Sequence, residues 1–215
     1  SSIDSYCSCP WHMMDMMTAP RIIREETGLR NIELWSLMFQ DQSLDYARSV
    51  RAAMDAAGCR VSNIQIDGRY DLSASDPAQR AASIVTVKSW MDRAAVLGAP
   101  SVRANIDAGT AGAPLALDLA TQSFRELAAY GREKSVKILV ENHIGASLNI
   151  DNCIAVLTAV NDPFCRGLLD WGNSNATNDA ERIAAFRKMF PYLDLVSAKG
   201  LHFDSTYMHQ DYAIP

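Results

Sequence analysis

The sequence has few of the features that mark a nucleic-acid binder or a membrane protein. Its 215 residues carry 20 Lys and Arg against 25 Asp and Glu, which gives a net charge of −5 without a basic run. A basic patch is the electrostatic footprint of a nucleic-acid binder, so we expect no nucleic-acid partner. No apolar run approaches the about 20 residues that a membrane-spanning helix needs, so we also expect no membrane partner.

Cysteine is scarce and loosely spaced. The five cysteines include no Cys-x-x-Cys pair, which argues against a zinc knuckle or a thioredoxin-type site. Isolated cysteines are typical of buried thiols in a reducing compartment, so we expect a cytoplasmic protein. The chain begins Ser1-Ser2 without Met, and an exported form from which a signal has been removed stays open.

Short apolar segments alternate with amphipathic segments along the chain. The strand candidates are residues 3–7, 31–35, 60–66, 101–105, 136–141, 167–170 and 194–199. Apolar residues recur at steps of three and four, as in helices, in residues 43–57, 78–97 and 117–130 and in the segment after Asn178. Strict alternation of strands and helices predicts a parallel sheet covered by helices.

Polar residues end six of these strand candidates: Glu33, Gln65, Arg103, Glu141, Asp170 and Lys199. They recur at intervals of roughly 30 to 40 residues, the length of one β/α unit. This regularity favours a (β/α)8 TIM barrel over a doubly wound sheet, whose Gly-rich phosphate turn is missing after the first strand candidate. Seven strand candidates predict a single domain over residues 1–215 that lacks its eighth β/α unit.

The polar strand ends are the candidate site, because barrel enzymes place their active sites at the C-terminal ends of the strands. Glu-Asn-His at 141–143 and Asp-Trp-Gly-Asn at 170–173 each follow an apolar strand. Two carboxylates on adjacent strands repel each other unless a cation compensates them. A divalent metal, with Mn, Mg, Co and Zn as the candidates, is the usual partner of such an oxygen-rich set.

These segments, together with Ala-Lys at 198–199, resemble the sugar phosphate isomerase/epimerase family of xylose-isomerase-like TIM barrels. The resemblance runs from Ile3 to about Tyr212. It implies an isomerase or epimerase that acts on a monosaccharide-like substrate by metal-assisted proton transfer next to a carbonyl. In that family, a Glu, an Asp, a His and a Glu on strands five to eight hold the metal, and the two Glu residues exchange the proton.

The chain departs from this pattern at the metal. Ser197 stands where the family has the strand-seven His, and the strand-eight Glu lies outside the chain. The resemblance therefore implies a weakly held metal or none, with Glu141, Asp170 and His202 as ligands. It also implies that Glu141 exchanges the proton and that Lys199 stabilises the enediolate charge.

Further residues near the strand ends are predicted to bind the substrate: His143, Arg103, Asn173, Trp35, Trp171 and Glu33. Each has a structural alternative. The tryptophans could belong to the core, and the charged residues could form ion pairs between strands. Glu141 and Asp170 could cap the following helices. Lys199 could simply form a salt bridge to Glu141 or Asp170.

Two other functions stay open at this point. A degenerate barrel could bind a sugar without turnover, or form one subunit of a larger assembly, because half of the family's metal ligands are missing. An endonuclease-like member of the superfamily would use several zinc ions and many histidines, and four His in an acidic chain disfavour it. We expect a small sugar as the partner and leave a homo-oligomer open.

Overall fold

The computed structural model describes residues 15–109, 114–199, 202, 204 and 205. Within them, six parallel strands form one sheet in chain order: β1 (Asn31–Trp35), β2 (Arg60–Gln65), β3 (Ser101–Ala104), β4 (Lys137–Glu141), β5 (Cys165–Asp170) and β6 (Leu193–Ser197). Sequential parallel order is that of a barrel wall, whereas a doubly wound sheet reverses its order. The predicted α/β barrel fold is confirmed as part of such a wall. The strand predicted at residues 3–7 lies outside the described residues.

Helix α1 (Ala19–Thr27) precedes β1, and five helices connect the strands: α2 (Leu44–Ala56), α3 (Pro77–Leu97), α4 (Leu117–Lys134), α5 (Ile150–Val160) and α6 (Asp179–Met189). The bounds of α3 follow from its end signals. The Asp76 side chain accepts a hydrogen bond of 3.0 Å from the Ala78 N–H, and Pro77 begins the helix. Gly98 ends it at a φ of 70°, a conformation that glycine adopts without strain.

The strands present two different faces, because successive side chains point to opposite sides of a sheet. Val102, Ile138 and Val140 belong to the fully buried core that the sheet shares with the helices. Arg103 and Glu141 alternate with them and therefore face the other side, toward the barrel axis. The sheet thus has an apolar face toward the helices and charged side chains on the face toward the barrel axis.

The last described strand ends earlier than the sequence predicts. Strand β6 stops at Ser197, so Lys199 lies two residues beyond the strand instead of at its end. Side chains along β6 alternate between half-buried and exposed because it is an edge strand of the described sheet. Throughout the part of the chain that the structure describes, no helix combines the length and the apolarity that crossing a membrane requires.

Candidate functional site

The C-terminal strand ends bring charged side chains to one edge of the sheet. Arg103 lies near the end of β3, Glu141 ends β4 and Asp170 ends β5, and each is at most 3% exposed. Asp67 follows β2, and Lys199 follows β6 with its Nζ 3.4 Å from an Asp170 carboxylate oxygen. The predicted residues Glu141, Asp170 and Lys199 therefore lie together at this C-terminal edge of the sheet, the rim of the barrel wall.

Arg103 is the buried cation at the centre of this rim. Its Nη1 donates a hydrogen bond of 2.7 Å to Asp67 Oδ1, and its Nε lies 2.8 Å from Glu141 Oε2. Burial opposes the charge on the guanidinium, but the two carboxylates outweigh it and raise the pKa of Arg103. The same ion pair, aided by the Trp35 indole N–H, holds the pKa of Asp67 below its usual value although burial opposes this. Both groups are therefore charged near neutral pH.

Glu33 and Gln65 determine where the Arg103 Nε hydrogen points. Glu33 Oε1 accepts hydrogen bonds from Asn63 Nδ2 (2.8 Å) and from Gln65 Nε2 (2.9 Å). Gln65 lies beside Arg103 in the register of the sheet. Because its Nε2 donates to Glu33, its Oε1 is left to accept the Arg103 Nε hydrogen. Glu141 Oε2 is consequently close to the cation but accepts no hydrogen bond.

This environment makes Glu141 an unusually weak acid. Burial raises the pKa of Glu141 to about 7, the charge of Asp170 adds to the rise, and Arg103 opposes it. A carboxyl group with a pKa near neutrality can both take up and release a proton at pH 7, which is what a general acid/base requires.

His143 lies beside the cluster on the loop after β4. Its Nδ1 is 3.0 Å from Asn105 Oδ1, and its backbone N–H donates to Ser147 Oγ at 3.1 Å. Burial lowers the pKa of His143 to about 4, and the charge of Arg103 lowers it further. The imidazole is therefore neutral at pH 7.

Asp170 and Lys199 form the other half of the rim. The Asn142 side chain fixes the end of β5, because its Nδ2 donates to Asp170 O and its Oδ1 accepts from Asp170 N, both at 2.8 Å. Lys199 Nζ donates to Asn173 Oδ1 at 2.9 Å as well as contacting Asp170. Gly172 N–H donates to Asp170 Oδ1 at 2.7 Å. The salt bridge that the sequence offered as the alternative for Lys199 is present, with Asp170 as its partner.

The two tryptophans differ in position. Trp35 donates from its Nε1 to Asp67 Oδ2 at 2.7 Å and so belongs to the rim cluster. Trp171 packs against the core between the sheet and the helices, which corresponds to the core alternative of the prediction. Its Nε1 is buried and has no hydrogen-bond partner.

A divalent metal fits this rim in part. The unbonded Oε2 of Glu141 suits one bond to a cation. Both oxygens of Asp170 already have partners, since Oδ1 accepts from the Gly172 N–H and Oδ2 contacts Lys199 Nζ. Among the residues that the structure describes, no three of His, Cys, Asp and Glu gather as a metal site, so exposed His202 does not join the two carboxylates.

Three residues of the site were not predicted from the sequence. Asp67 and Asn105 complete the Arg103 cluster, and both follow the end of a strand by one or two positions. Asp107 is 8% exposed and joins two loops, because its carboxylate accepts from Gly109 N at 2.6 Å and from Ala146 N at 2.8 Å. All three lie within three residues of a strand end, where polar residues of a barrel site are expected.

Known proteins resemble this chain in sequence family and in fold. The model of the family described as "Xylose isomerase-like TIM barrel" matches residues 24–212, and no curated protein matches the chain. A D-psicose 3-epimerase from Clostridium cellulolyticum H10, solved with D-tagatose, is 14% identical with a TM-score of 0.71 over 85% of this chain and 67% of that chain.

Two further solved structures show the same fold. A 3-keto-D-glucoside 4-epimerase from E. coli is 14% identical, with a TM-score of 0.68 over 85% of this chain and 73% of that chain. A xylose isomerase-like TIM barrel protein from Mycobacterium smegmatis, solved in complex with magnesium, is 18% identical, with a TM-score of 0.65 over 93% of this chain and 71% of that chain. At these identities the likeness concerns the fold.

Proposed function

The chain belongs to the xylose isomerase-like TIM barrel family, and from that membership we propose that it is a sugar isomerase or epimerase for a monosaccharide-like substrate. The observation that carries the proposal is Glu141. It ends a barrel strand at 2% exposure, its Oε2 accepts no hydrogen bond, and its pKa is raised to about 7. The epimerase activities of similar folds support the same class of reaction.

Glu141 is the proposed base: for an isomerase it returns the proton to the neighbouring carbon, whereas an epimerase needs a second acid on the opposite face of the enediolate. A carbon next to a carbonyl loses a proton only when a base of suitable pKa lies beside it and the resulting negative charge is stabilised. Glu141 supplies the base. Lys199, held by Asn173 and Asp170, and buried Arg103 supply the positive charge that stabilises an enediolate oxygen.

A divalent metal remains part of this proposal. Glu141 and Asp170 would hold it, and further ligands would have to complete its shell. When bound, such an ion polarises the carbonyl and makes the neighbouring C–H more acidic. Mn²⁺, Mg²⁺, Co²⁺ and Zn²⁺ are the candidates, and two carboxylates alone predict weak binding.

Interconversion of ketoses tests the proposal. The protein is incubated with D-psicose and D-tagatose, with and without Mn²⁺, and the products are separated by chromatography. We expect the wild-type protein to convert its substrate into an aldose isomer or an epimer, and Glu141→Gln to lose this activity because an amide cannot exchange the proton. Glu133→Gln, an exposed glutamate on α4, is the matched control and should keep full activity.

Sugar binding without turnover is the second candidate function. It is favoured by the Lys199–Asp170 contact, which satisfies one of the two carboxylates without a metal, and by the absence of a three-residue metal group among the described residues. Calorimetric titration with the same sugars separates the two. Binding without any product in wild type would favour this second function over an epimerase.

A further inference from the structure

Asn105 is wedged between a group that only accepts hydrogen bonds and a group that only donates them. It is 4% exposed. Its Nδ2 faces the Asp67 carboxylate at 3.4 Å, and its Oδ1 faces Arg103 Nη1 at 3.2 Å. Because Asp67 is ionised and a guanidinium has no acceptor, the reverse amide orientation would place two acceptors together and two donors together. The two neighbours therefore fix the orientation of the amide.

This orientation has a consequence for His143. The ring Nδ1 lies 3.0 Å from the same Asn105 Oδ1, which can only accept a hydrogen bond. The hydrogen of the neutral ring must then be on Nδ1, and the lone pair must be on Nε2. Among the described residues, Nε2 has no hydrogen-bond partner. It is also not a fully buried atom.

We propose that Asn105 is a positioning residue that holds the His143 imidazole as the Nδ1–H tautomer, so that Nε2 accepts a hydrogen bond from a substrate hydroxyl group. The second half rests on the proposed function, since it takes a sugar or polyol as the ligand. The opposite tautomer would make Nε2 a donor, which recognises a carbonyl or ether oxygen. The Asp67–Arg103–Asn105 arrangement thus determines whether Nε2 accepts a hydrogen bond from the ligand or donates one to it.

The tautomer is measured directly by multiple-bond ¹H–¹⁵N correlation spectra of the ¹⁵N-histidine-labelled protein at neutral pH. The signals of His143 are assigned by comparison with His143→Gln. We expect the Nδ1–H pattern in wild type. Asn105→Leu has a similar size but no acceptor, so it should lose this pattern and give the Nε2–H pattern that imidazole prefers in water.

Asn105→Asp is the matched variant that keeps an acceptor in the same place, so Nδ1 should keep its hydrogen whether the ring stays neutral or the added carboxylate makes it bind a second proton. If the Leu variant does not fold, Asn105→Ala is measured in its place with the same expectation. An Nε2–H pattern in wild type, or an unchanged pattern without the Asn105 acceptor, overturns the proposal. No sugar is needed for this test, so its failure is distinguishable from a failure of the proposed isomerase or epimerase activity.

Discussion

We infer that the pKa of Glu141 depends on Gln65, which makes no hydrogen bond to it. Gln65 accepts the Arg103 Nε hydrogen, so Arg103 lowers the pKa of Glu141 through its charge alone, without a hydrogen bond. A charge-assisted hydrogen bond to Glu141 would hold its pKa down. We therefore expect the amide of Gln65 to keep the pKa of Glu141 higher than a direct hydrogen bond from Arg103 would allow.

The raised pKa of Glu141 predicts how stability depends on pH. Between pH 4.5 and about 7, folded Glu141 holds a proton that the unfolded chain has lost, so rising pH destabilises the wild type by about 1 kcal/mol per pH unit. Glu141→Gln removes this contribution. The free energy of unfolding of the variant, measured with urea, should therefore rise relative to wild type across that window.

The depressed pKa of His143 works in the opposite direction between about pH 4 and 6.5, where rising pH stabilises the folded chain. The two contributions offset each other in the wild type, so the Glu141→Gln curve should slope upward where the wild-type curve is flatter. Parallel curves for the two proteins would contradict a raised pKa at Glu141. Glu133→Gln should follow the wild type.

Removing the competing acceptor at position 65 should lower the pKa of Glu141. In Gln65→Leu the Arg103 Nε hydrogen loses its partner and turns to Glu141 Oε2, which lies 2.8 Å away. Carboxyl ¹³C chemical shifts followed against pH in the metal-free protein measure this. A midpoint that stays at about 7 in the variant would show that Gln65 does not control Glu141.

Ser197 is the residue at which a histidine should strengthen metal binding. It lies directly across from Asp170 in the register of β5 and β6. Ser197→His would place an imidazole beside that carboxylate, and imidazole is a far better ligand for Mn²⁺ or Zn²⁺ than a neutral hydroxyl. Calorimetric titration should show tighter metal binding than in the wild type, whereas unchanged affinity would argue against a metal at this rim.

Among the elements, the loops after β3 and β4 are joined by the hydrogen bonds of the Asp107 carboxylate, the Asp107 clamp. Asp107 holds Gly109 and Ala146 by their backbone N–H groups, and Gly145 has a φ of 57°. A Cβ atom at Gly145 would overlap the Asp107 carboxylate. This clamp fixes the loop that carries His143 against the loop that follows Arg103.

Two glycine substitutions isolate the clamp. Gly58 has a φ of 64° and open space around it, so Gly58→Ala should cost only the backbone strain of about 1 kcal/mol. Gly145→Ala adds the displacement of Asp107 and its two hydrogen bonds, about 2 kcal/mol more. Urea denaturation measures both, and equal losses of stability would show that the clamp contributes nothing.

The sequence predicted helices and strands best where the spacing of apolar residues and the capping residues at the ends agree. Helix α3 combines a stripe at steps of three and four with Asp76, Pro77 and Gly98, and its prediction is confirmed within one residue. Alternation of strands and helices predicted a helix where α5 lies but gave no bounds for it, because apolar residues occupy most of its positions and leave no stripe. Strand β6 was extended to Lys199 because Ser-Ala-Lys continues its pattern without a turn signal.

For the candidate site, the sequence predicted the rim but not its connections. Glu141, Asp170 and Lys199 were found because each follows an apolar segment, and parallel strands end at one edge. The partners of Arg103 could not be predicted, since Gln65 and Asp67 meet it through strand register and side-chain orientation across more than thirty residues. Local sequence carries no information on either.

At the scale of the whole molecule, the site is assembled from separate β/α units. Arg103, Glu141 and Asp170 come from three consecutive strands and contact loops from the units on either side. The parallel sheet brings these distant residues together, and the buried Arg103–Asp67 pair keeps both of its members charged. The chain's family membership and the raised pKa of Glu141 together lead to the central claim, which is proton transfer beside a sugar carbonyl.

Solvent isotope exchange tests this claim most directly. The protein is incubated with a ketose and Mn²⁺ in D₂O, and ¹H NMR follows the C–H next to the carbonyl. Wild type should replace that hydrogen with deuterium, and Glu141→Gln should not, because only a group that removes the proton can exchange it with solvent. Retention of the hydrogen in wild type for a sugar that calorimetry shows to be bound, or equal exchange in the Glu141→Gln variant, would contradict the account.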